Sequence, residues 1–441
     1  MNTEKENILI KNKHILICID EQLSNINSEH ADEVNYIKKY FCGNIITDLN
    51  SFDKFVPEPN TIIYICGNIK QNLNQITVNN NMIIYIIREL SCNYEDYLNL
   101  NYKFIQIGEL PININNVGIY FRNFFDENKN YFDLINNEHN FQTLKESNKP
   151  NNAFRSGIYM TKVTESINSN EINFNLLRCS TNLDGSTDNF RDIDKEIVDK
   201  VNNIAEYYYE EKTNLNHVLA QIYKNTFEGG EDKKSVSCPA TDPKLRLEKK
   251  AKIKEHSDKT KDMPRNGLIA FCTFYENYFD GTFQDMKIKK FNKSNLNYYD
   301  YCYNNTSVLT KMRFRLKKDV TDGNFVKQFD IILYPNSVFL ISLEMNRLYT
   351  HEIVPSVLLI AKIPTRMGYV IRCSKTKAIY KDNQTYLIQD NSERTKLEKP
   401  NNEGIKILKK IYFDENMSSN MITYDKFYFS LNDGDYQKPN L

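Results

Sequence analysis

Several features that would assign the chain quickly to a common class are absent. Lys and Arg together number 57, as do Asp and Glu, so no net charge favours nucleic acid or an anionic membrane as a partner of the whole chain. No apolar run approaches the ~20 residues that span a bilayer. The opening stretch Met1–Glu6 lacks the apolar segment of a secretory signal. The nine cysteines show no Cys-x-x-Cys spacing, which argues against a zinc site or a disulfide framework. We therefore expect an intracellular protein, cytoplasmic or nuclear, without a membrane partner.

The first 127 residues contain five short apolar runs separated by polar or amphipathic spacers. The runs are His14–Ile19, Asn44–Thr47, Thr61–Cys66, Met82–Ile87 and Lys103–Ile107. Such runs are typical of buried parallel strands and predict an α/β domain of flavodoxin-like or Rossmann-like type. The dinucleotide fingerprint Gly-x-Gly-x-x-Gly is missing after the first run, where Asp20 begins Asp-Glu-Gln-Leu-Ser. We expect a structural or partner-binding role for this domain.

Residues 128–152 are polar and rich in Asn, which predicts a linker. We expect a catalytic domain over 153–390 and a C-terminal extension over 391–441. Within the catalytic domain, apolar residues recur at intervals of three and four between Asp188 and Glu211, which predicts a helix packed on one face. Ser186–Asp188 offers a cap for its first turn.

His256 and Asp258 lie two positions apart on a segment that reads as extended. Side chains alternate faces with period two, so both can contact one ion. A third ligand from a distant strand would complete the two-His, one-carboxylate triad that holds non-haem Fe(II) and leaves positions open for a cosubstrate and O2. His351 is the candidate, because it follows closely on the strand-like run Phe329–Leu343, which a Pro-Asn-Ser turn interrupts.

Two arginines follow in the stretch Arg-Met-Gly-Tyr-Val-Ile-Arg. Arg366 and Arg372 are six residues apart, an even spacing that places both on one face of a strand. Such a strand can direct two guanidinium groups at a dicarboxylate.

Together these elements resemble the AlkB-like group of 2-oxoglutarate- and Fe(II)-dependent dioxygenases. The matched elements follow one another in family order and are Ser180–Gly185, Asn216–Tyr223, His256–Lys259, the strand ending near His351, and Arg366 with Arg372. The resemblance covers about residues 153 to 380. It implies a double-stranded β-helix, or jelly-roll barrel, with flanking helices and iron at its mouth.

The resemblance also implies roles for individual residues. The implied iron ligands are His256, Asp258 and His351. The implied contacts to the cosubstrate 2-oxoglutarate are Arg366, which would clamp the far carboxylate, and Tyr223 and Arg372.

The sequence departs from the nucleic-acid-repair members of this group at several points. Thr260 stands where those members carry an acidic residue, and Gln221 replaces the Asn expected two before Tyr223. The segment between Tyr223 and His256 is longer than usual, and the chain has no Trp to stack on a flipped base. These differences leave the iron chemistry intact and weaken the prediction of a nucleobase substrate.

The long segment before His256 carries a cluster of basic residues. They are Lys244, Arg246, Lys249, Lys250, Lys252 and Lys254. One interpretation is a solvated surface insertion, which is what charge runs usually form. The other is a substrate lid suited to a phosphate backbone or an acidic peptide.

The sequence thus predicts an Fe(II)- and 2-oxoglutarate-dependent dioxygenase that hydroxylates or demethylates a macromolecular substrate, with alkylated nucleic acid as one class. Two alternatives remain open. One is a protein or peptide hydroxylase on the same fold, and the other is a barrel that binds a partner without turnover.

Overall fold

The computed structural model describes most of the chain, in stretches separated by gaps. The described residues are 13–23, 31–48, 50–51, 60–76, 82–100, 102–145, 152–166, 170–179, 183–210, 213–227, 248–276, 289–290, 299–424 and 426–441. Ser180 to Asn182 of the first matched element, and Lys244 and Arg246 of the basic cluster, lie outside these residues.

Five parallel strands near the N-terminus form a sheet of their own. They are β1 (His14–Ile17), β2 (Asn44–Ile46), β3 (Ile62–Asn68), β4 (Ile83–Cys92) and β5 (Lys103–Ile105). The order is β2-β1-β3-β4-β5, and all neighbouring pairs are parallel. The connections include α1 (Asp20–Leu23), α2 (Ala31–Tyr40) and α3 (Ile69–Gln75). The five predicted strands are present as a parallel sheet, whereas a flavodoxin-like or Rossmann-like domain remains a prediction.

The next segment connects this region to a larger sheet. Strands β6 (Ile112–Ile114) and β7 (Gly118–Phe121) form an antiparallel pair. Strand β7 also pairs in antiparallel fashion with a strand formed by the distant residues 337–342. Residues 112–121, which the sequence places in the N-terminal domain, therefore belong to the sheet of the predicted catalytic region. The domain boundaries remain a prediction.

The predicted linker contains regular structure. Helix α4 (Tyr131–Glu138) and strand β8 (Gln142–Lys145) lie within residues 128–152. The helix forms because Tyr131, Phe132 and Ile135 make one buried apolar face within an otherwise polar segment. Three apolar residues are too few to give a recognisable helical periodicity in an Asn-rich segment, so the sequence did not predict this helix.

The remaining elements alternate between long strands and a few helices. The first set is β9 (Asn152–Thr161), β10 (Thr164–Ser166), β11 (Glu171–Leu176), β12 (Asp188–Asn189), α5 (Asp192–Tyr208), β13 (His217–Tyr223), β14 (Thr226–Phe227), β15 (Glu248–Lys249), β16 (Ile253–His256) and β17 (Leu268–Tyr275). The second set is β18 (Lys289–Lys290), β19 (Tyr301–Tyr303), β20 (Thr306–Ser307), β21 (Lys311–Leu316), β22 (Gln328–Ile332), β23 (Ser337–Ser342), α6 (Leu343–Leu348), β24 (Tyr349–Val354), β25 (Arg366–Arg372), β26 (Thr376–Lys381), β27 (Gln384–Ile388), β28 (Arg394–Lys396) and α7 (Asn402–Met417). The protein is thus a mixed α/β chain with several sheets.

Two sheets share the main hydrophobic core. The larger has the order β12-β9-β13-β25-β17-β23-β7-β6, with β8 also paired to β9, and the smaller has the order β16-β24-β21-β22. Phe271 and Phe339 of the larger sheet and Phe314 and Ile353 of the smaller sheet belong to one buried cluster. Between β16 and β25 the chain passes repeatedly from one sheet to the other, so the two sheets form a sandwich around side chains that alternate inward.

The other face of the larger sheet is covered by helix α5. Strand β17 is buried at all eight positions, because Phe271 points into the sandwich while Phe274 points toward the helix side. The predicted helix between residues 188 and 211 is confirmed as α5, and its apolar stripe is buried. The predicted cap was wrong. Asp188 pairs as a strand residue with β9, and Asp194 accepts the backbone N–H of Arg191 instead.

None of the helices in the described part of the chain combines the length and apolar composition that a membrane-spanning helix needs.

His139 joins helix α4 to helix α5. Its Nδ1 lies 2.7 Å from Asp188 Oδ2 and its Nε2 lies 2.8 Å from Asp194 Oδ2, with the histidine side chain fully buried. Burial alone would lower the pKa of His139, but hydrogen bonds to the two carboxylates outweigh it and raise the pKa to about 9. The imidazolium is therefore the stable form at neutral pH.

This arrangement predicts a pH dependence of stability. Because the pKa of His139 is higher in the folded than in the unfolded chain, its contribution is fully present below about pH 6.5 and is lost as pH rises toward 9. We expect the free energy of unfolding to fall by on the order of 3 kcal/mol over this window. Urea unfolding of His139→Gln should lack that slope. His14→Gln is the matched control, since burial lowers the pKa of His14 to about 4 and its variant should keep the slope.

Candidate metal centre

Strands β16 and β24 bring two histidines face to face. His256 is the register partner of His351 in this antiparallel pair, and the ring centroids are 4.5 Å apart. Asp258 follows two residues after His256, with its Oδ1 3.7 Å from His256 Nε2 and 3.9 Å from His351 Nε2. One ligand atom from each of the three residues lies within 4.8 Å of the others. The three residues that the sequence singled out therefore converge, and a single ion can contact all of them.

The Asp258 carboxylate is oriented by a hydrogen bond on the side away from the histidines. Arg372 Nε donates to Oδ2 over 2.7 Å, which leaves Oδ1 directed at the histidines. Asn346 fixes the backbone of the same residue, accepting from Asp258 N at 2.9 Å and donating to its carbonyl oxygen at 3.0 Å. Burial would raise the pKa of Asp258, but the positive charge of Arg372 outweighs it, and the pKa lies well below its usual range. The carboxylate is thus ionised and oriented, as a metal ligand must be.

The two imidazoles present suitable nitrogen atoms. His256 Nδ1 lies 2.9 Å from the carbonyl oxygen of Lys254 and donates to it, which leaves Nε2 free of its proton. His351 packs against Phe271 and Phe314, with ring centroids 5.2 and 5.7 Å away. Burial lowers the pKa of His351 to about 3 and lowers that of His256 as well. Both rings are neutral near pH 7, the state in which imidazole binds metals.

Arg366 lies at the other end of strand β25 from Arg372. It is opposite Tyr223 in the pairing of β25 with β13, and its guanidinium carbon lies 4.0 Å from the centre of the Tyr223 ring. Arg366 is only 3% exposed, and its Nε and Nη2 have no hydrogen-bond partner among the described residues. Leaving buried donors unpaired is costly, so these two groups indicate a site for an anion.

Gly368 provides room for this arginine. A Cβ at that position would lie 3.0 Å from Arg366 Nη1 and 3.3 Å from the Tyr223 ring. Positions 366, 368, 370 and 372 share one face of β25, and Val370 packs into the core between the two sheets. That face is therefore the inner one, and both arginines project into the sandwich.

Sequence reasoning missed Asn346, Gly368 and the two phenylalanines that flank His351. A glycine inside a strand signals a close approach of another group and could have marked Gly368. Asn346 lies on α6, and no feature of its sequence surroundings connects it with a residue 88 positions earlier.

The described part of the basic cluster is anchored to the neighbouring structure. Lys250 Nζ donates to the carbonyl oxygen of Ser356 at 3.0 Å, and Lys249 Nζ lies 5.7 Å from the Phe154 ring centre. Lys252 and Lys254 are exposed. The substrate-lid interpretation remains a prediction.

No protein-family model matches the chain. No curated protein matches it either. Among solved structures, that of OsALKBH1 is 10% identical and covers 58% of this chain and 96% of its own, with a TM-score of 0.31. A selenomethionine-labelled Fe(II)/α-ketoglutarate-dependent dioxygenase, TqaL, is 8% identical and covers 53% of this chain and 69% of its own, with a TM-score of 0.22. The TM-scores are too low for either likeness to support a function for this chain.

Proposed function

We propose that the protein is an Fe(II)- and 2-oxoglutarate-dependent dioxygenase. The observation that carries this proposal is the convergence of two neutral imidazoles and one ionised carboxylate, His256, His351 and Asp258, on a common point. Two nitrogen donors and one oxygen donor on one side of an ion leave the opposite positions open, which is the arrangement of non-haem Fe(II) oxygenases. A zinc site of structural type would instead close its coordination with a fourth protein ligand.

The strand order agrees with this proposal. Numbering the eight strands β13, β16, β17 and β21 to β25 from one to eight gives the orders 1-8-3-6 and 2-7-4-5 for the two facing sheets. This order, in which the strands alternate between two facing sheets, is what we expect of a double-stranded β-helix and supports that proposed fold. In it, the candidate ligands come from the second strand, the loop that follows it, and the seventh strand.

The surrounding residues would prepare the site for the cofactor and the cosubstrate. Arg372 orients Asp258 so that Oδ1 faces the ion, and the Lys254 carbonyl selects the tautomer of His256. Arg366 offers two unpaired N–H groups, a fork that matches one carboxylate of 2-oxoglutarate. When bound, Fe(II) supplies the binding and activation of O2 that a protein side chain cannot provide.

A further contact of Arg372 with the cosubstrate fits the geometry. Its Nη1 is buried and has no partner among the described residues, although its Nε already binds Asp258. Tyr223 contributes the ring against which the Arg366 guanidinium stacks.

We propose hydroxylation or demethylation of a macromolecular substrate within the cell, with alkylated nucleic acid as the first class to test. A protein hydroxylase would use the same metal centre and differ only in what the entrance accepts. A barrel without turnover is disfavoured, since a binding module has no need of an ionised carboxylate beside two neutral histidines.

Anaerobic addition of Fe(II) and 2-oxoglutarate tests the activity class directly. We expect a visible charge-transfer absorption that requires both components, followed by release of succinate when air is admitted. Zn2+ should prevent the absorption, because a site of this type binds Zn2+ more tightly than Fe2+. Absence of the absorption at saturating Fe(II) would overturn the proposal.

A further inference from the structure

A cavity lies beside the metal-binding loop. It has a volume of about 350 Å3 and is bounded by the loop 257–265, helix α6 and the segment 415–424. None of the candidate metal ligands lines it, nor does Arg366. Ser257, which separates His256 from Asp258 in the chain, does line it, so the cavity adjoins the outer side of the metal-binding loop.

The lining of this cavity is strongly cationic. Its charged side chains are Lys261, Arg265, Lys317, Arg347, Lys375, Glu344 and Glu415. Five cations thus face two carboxylates, although the chain as a whole has no net charge. One of the carboxylates, Glu415, accepts from Thr260 and Tyr424 and also faces Lys259, whose Nζ lies 3.9 Å from its Oε2. The excess of positive charge is therefore local and concentrated at a concave surface.

Two of the cations are buried, and other groups also bind the carboxylates nearest to them. The Lys261 side chain is 4% exposed, and its Nζ lies 3.5 Å from Asp262 Oδ1, whose carboxylate is bound by Arg178. Lys317 is 5% exposed, and its Nζ donates to the backbone carbonyl oxygens of Glu415 and Ser418. Burial lowers the pKa of each ammonium to about 8. Buried cations that share their carboxylates with other groups are incompletely balanced, and an anion in the cavity would stabilise them.

The cavity has exposed cations at its rim and apolar side chains in its wall. Arg265 and Lys375 are exposed, and the Arg265 guanidinium is directed at the sulfur of Met421 rather than at a carboxylate. Leu343 and Ile422 add apolar surface. The volume lies in the range of small-molecule sites and exceeds what a bare inorganic ion fills.

We propose that this cavity binds a small phosphorylated molecule with an apolar or aromatic body, of the nucleoside phosphate class. The phosphate groups lie among Lys261, Arg265 and Lys375, because phosphate carries enough charge to balance several cations at once. The body lies against Leu343 and Ile422. This inference does not depend on the proposed dioxygenase activity, since it concerns other residues.

Calorimetric titration of the full chain tests the proposal, with ATP and inorganic phosphate as probes and without added Fe(II) or 2-oxoglutarate. We expect both probes to bind at low ionic strength, with ATP the tighter because it also fills the apolar part. Arg265→Ala and Lys375→Ala should each weaken ATP binding about tenfold, the loss of one charge-assisted contact. Both side chains are exposed, so the variants should fold.

The matched controls are Lys409→Ala and Lys410→Ala, which remove the same charge from exposed positions of α7 away from the cavity. They should leave ATP affinity unchanged. Lys261→Met adds a variant at the cavity floor and should weaken both probes. The proposal is overturned if the parent binds neither probe, if the control variants lose as much affinity as the rim variants, or if only a single-stranded oligonucleotide binds.

Discussion

The His256→Ala variant should lose Fe(II) binding while retaining the melting temperature of the parent protein. Its side chain is 31% exposed and makes one hydrogen bond, to a backbone carbonyl, so its loss leaves no buried group unpaired. Loss of residues that merely orient a metal ligand costs roughly 10- to 100-fold in affinity, and we expect removal of a ligand itself to cost more than that. Anaerobic Fe(II) titration and thermal melts monitored by circular dichroism measure the two quantities.

Glu255→Ala is the matched control for this variant. Glu255 is the preceding residue on β16 and points away from the metal centre, toward Arg315 and Thr350. Its half-exposed ion pair contributes about 1 kcal/mol or less, and Fe(II) affinity should not change. Equal Fe(II) affinity in the parent and His256→Ala would show that the three residues do not form the iron site.

Asp258→Ala should behave differently from His256→Ala. It removes a candidate ligand and also leaves the buried Arg372 guanidinium without its carboxylate. Breaking a buried ion pair on one side costs about 3 to 5 kcal/mol, so this variant should lose both metal binding and stability. The histidine variant is therefore the cleaner test of the metal site.

Arg366→Lys should weaken 2-oxoglutarate binding strongly without affecting Fe(II) affinity. A Lys cannot reproduce the planar fork of two N–H groups that Arg366 offers, and a charged hydrogen bond contributes on the order of 1.5 to 3 kcal/mol, so we expect a loss of about tenfold or more. Arg372→Lys should instead lower stability and Fe(II) affinity, because its bond to Asp258 is disturbed. Titration of 2-oxoglutarate at saturating Fe(II), together with thermal melts, separates the two effects.

Gly368→Ala gives an independent check on the same clamp. The added methyl group would press on Arg366 Nη1 and the Tyr223 ring, so it should raise the dissociation constant for 2-oxoglutarate while the metal ligands stay in place. If Arg366→Lys and Gly368→Ala both bind 2-oxoglutarate as the parent does, Arg366 is not the clamp.

Local patterns in the sequence were sufficient to predict the N-terminal strands, helix α5 and the candidate ligands His256 and Asp258. The five apolar runs at the N-terminus became five parallel strands, and the inner strands β1 and β3 are buried along nearly their whole length, as their apolar sequences predict. The three-and-four spacing between residues 188 and 211 became helix α5 for a similar reason. The spacing of His256 and Asp258 predicted that both can contact one ion, although Asp258 lies in the loop after β16 and is held there by Arg372 and Asn346.

Only the tertiary structure decided which residues meet. That His351 lies opposite His256 follows from the register of β16 and β24, which are 95 residues apart at this pair and are set by packing of the whole sandwich. In the structure Arg372 donates to Asp258, whereas two N–H groups of Arg366 have no partner among the described residues. The spacing of two arginines on one strand does not predict this difference between them. The cationic cavity depends on loop 257–265, helix α6 and segment 415–424 together. Long-range contacts of this kind arise when distant segments bury a common surface, so no local stretch of sequence contains them.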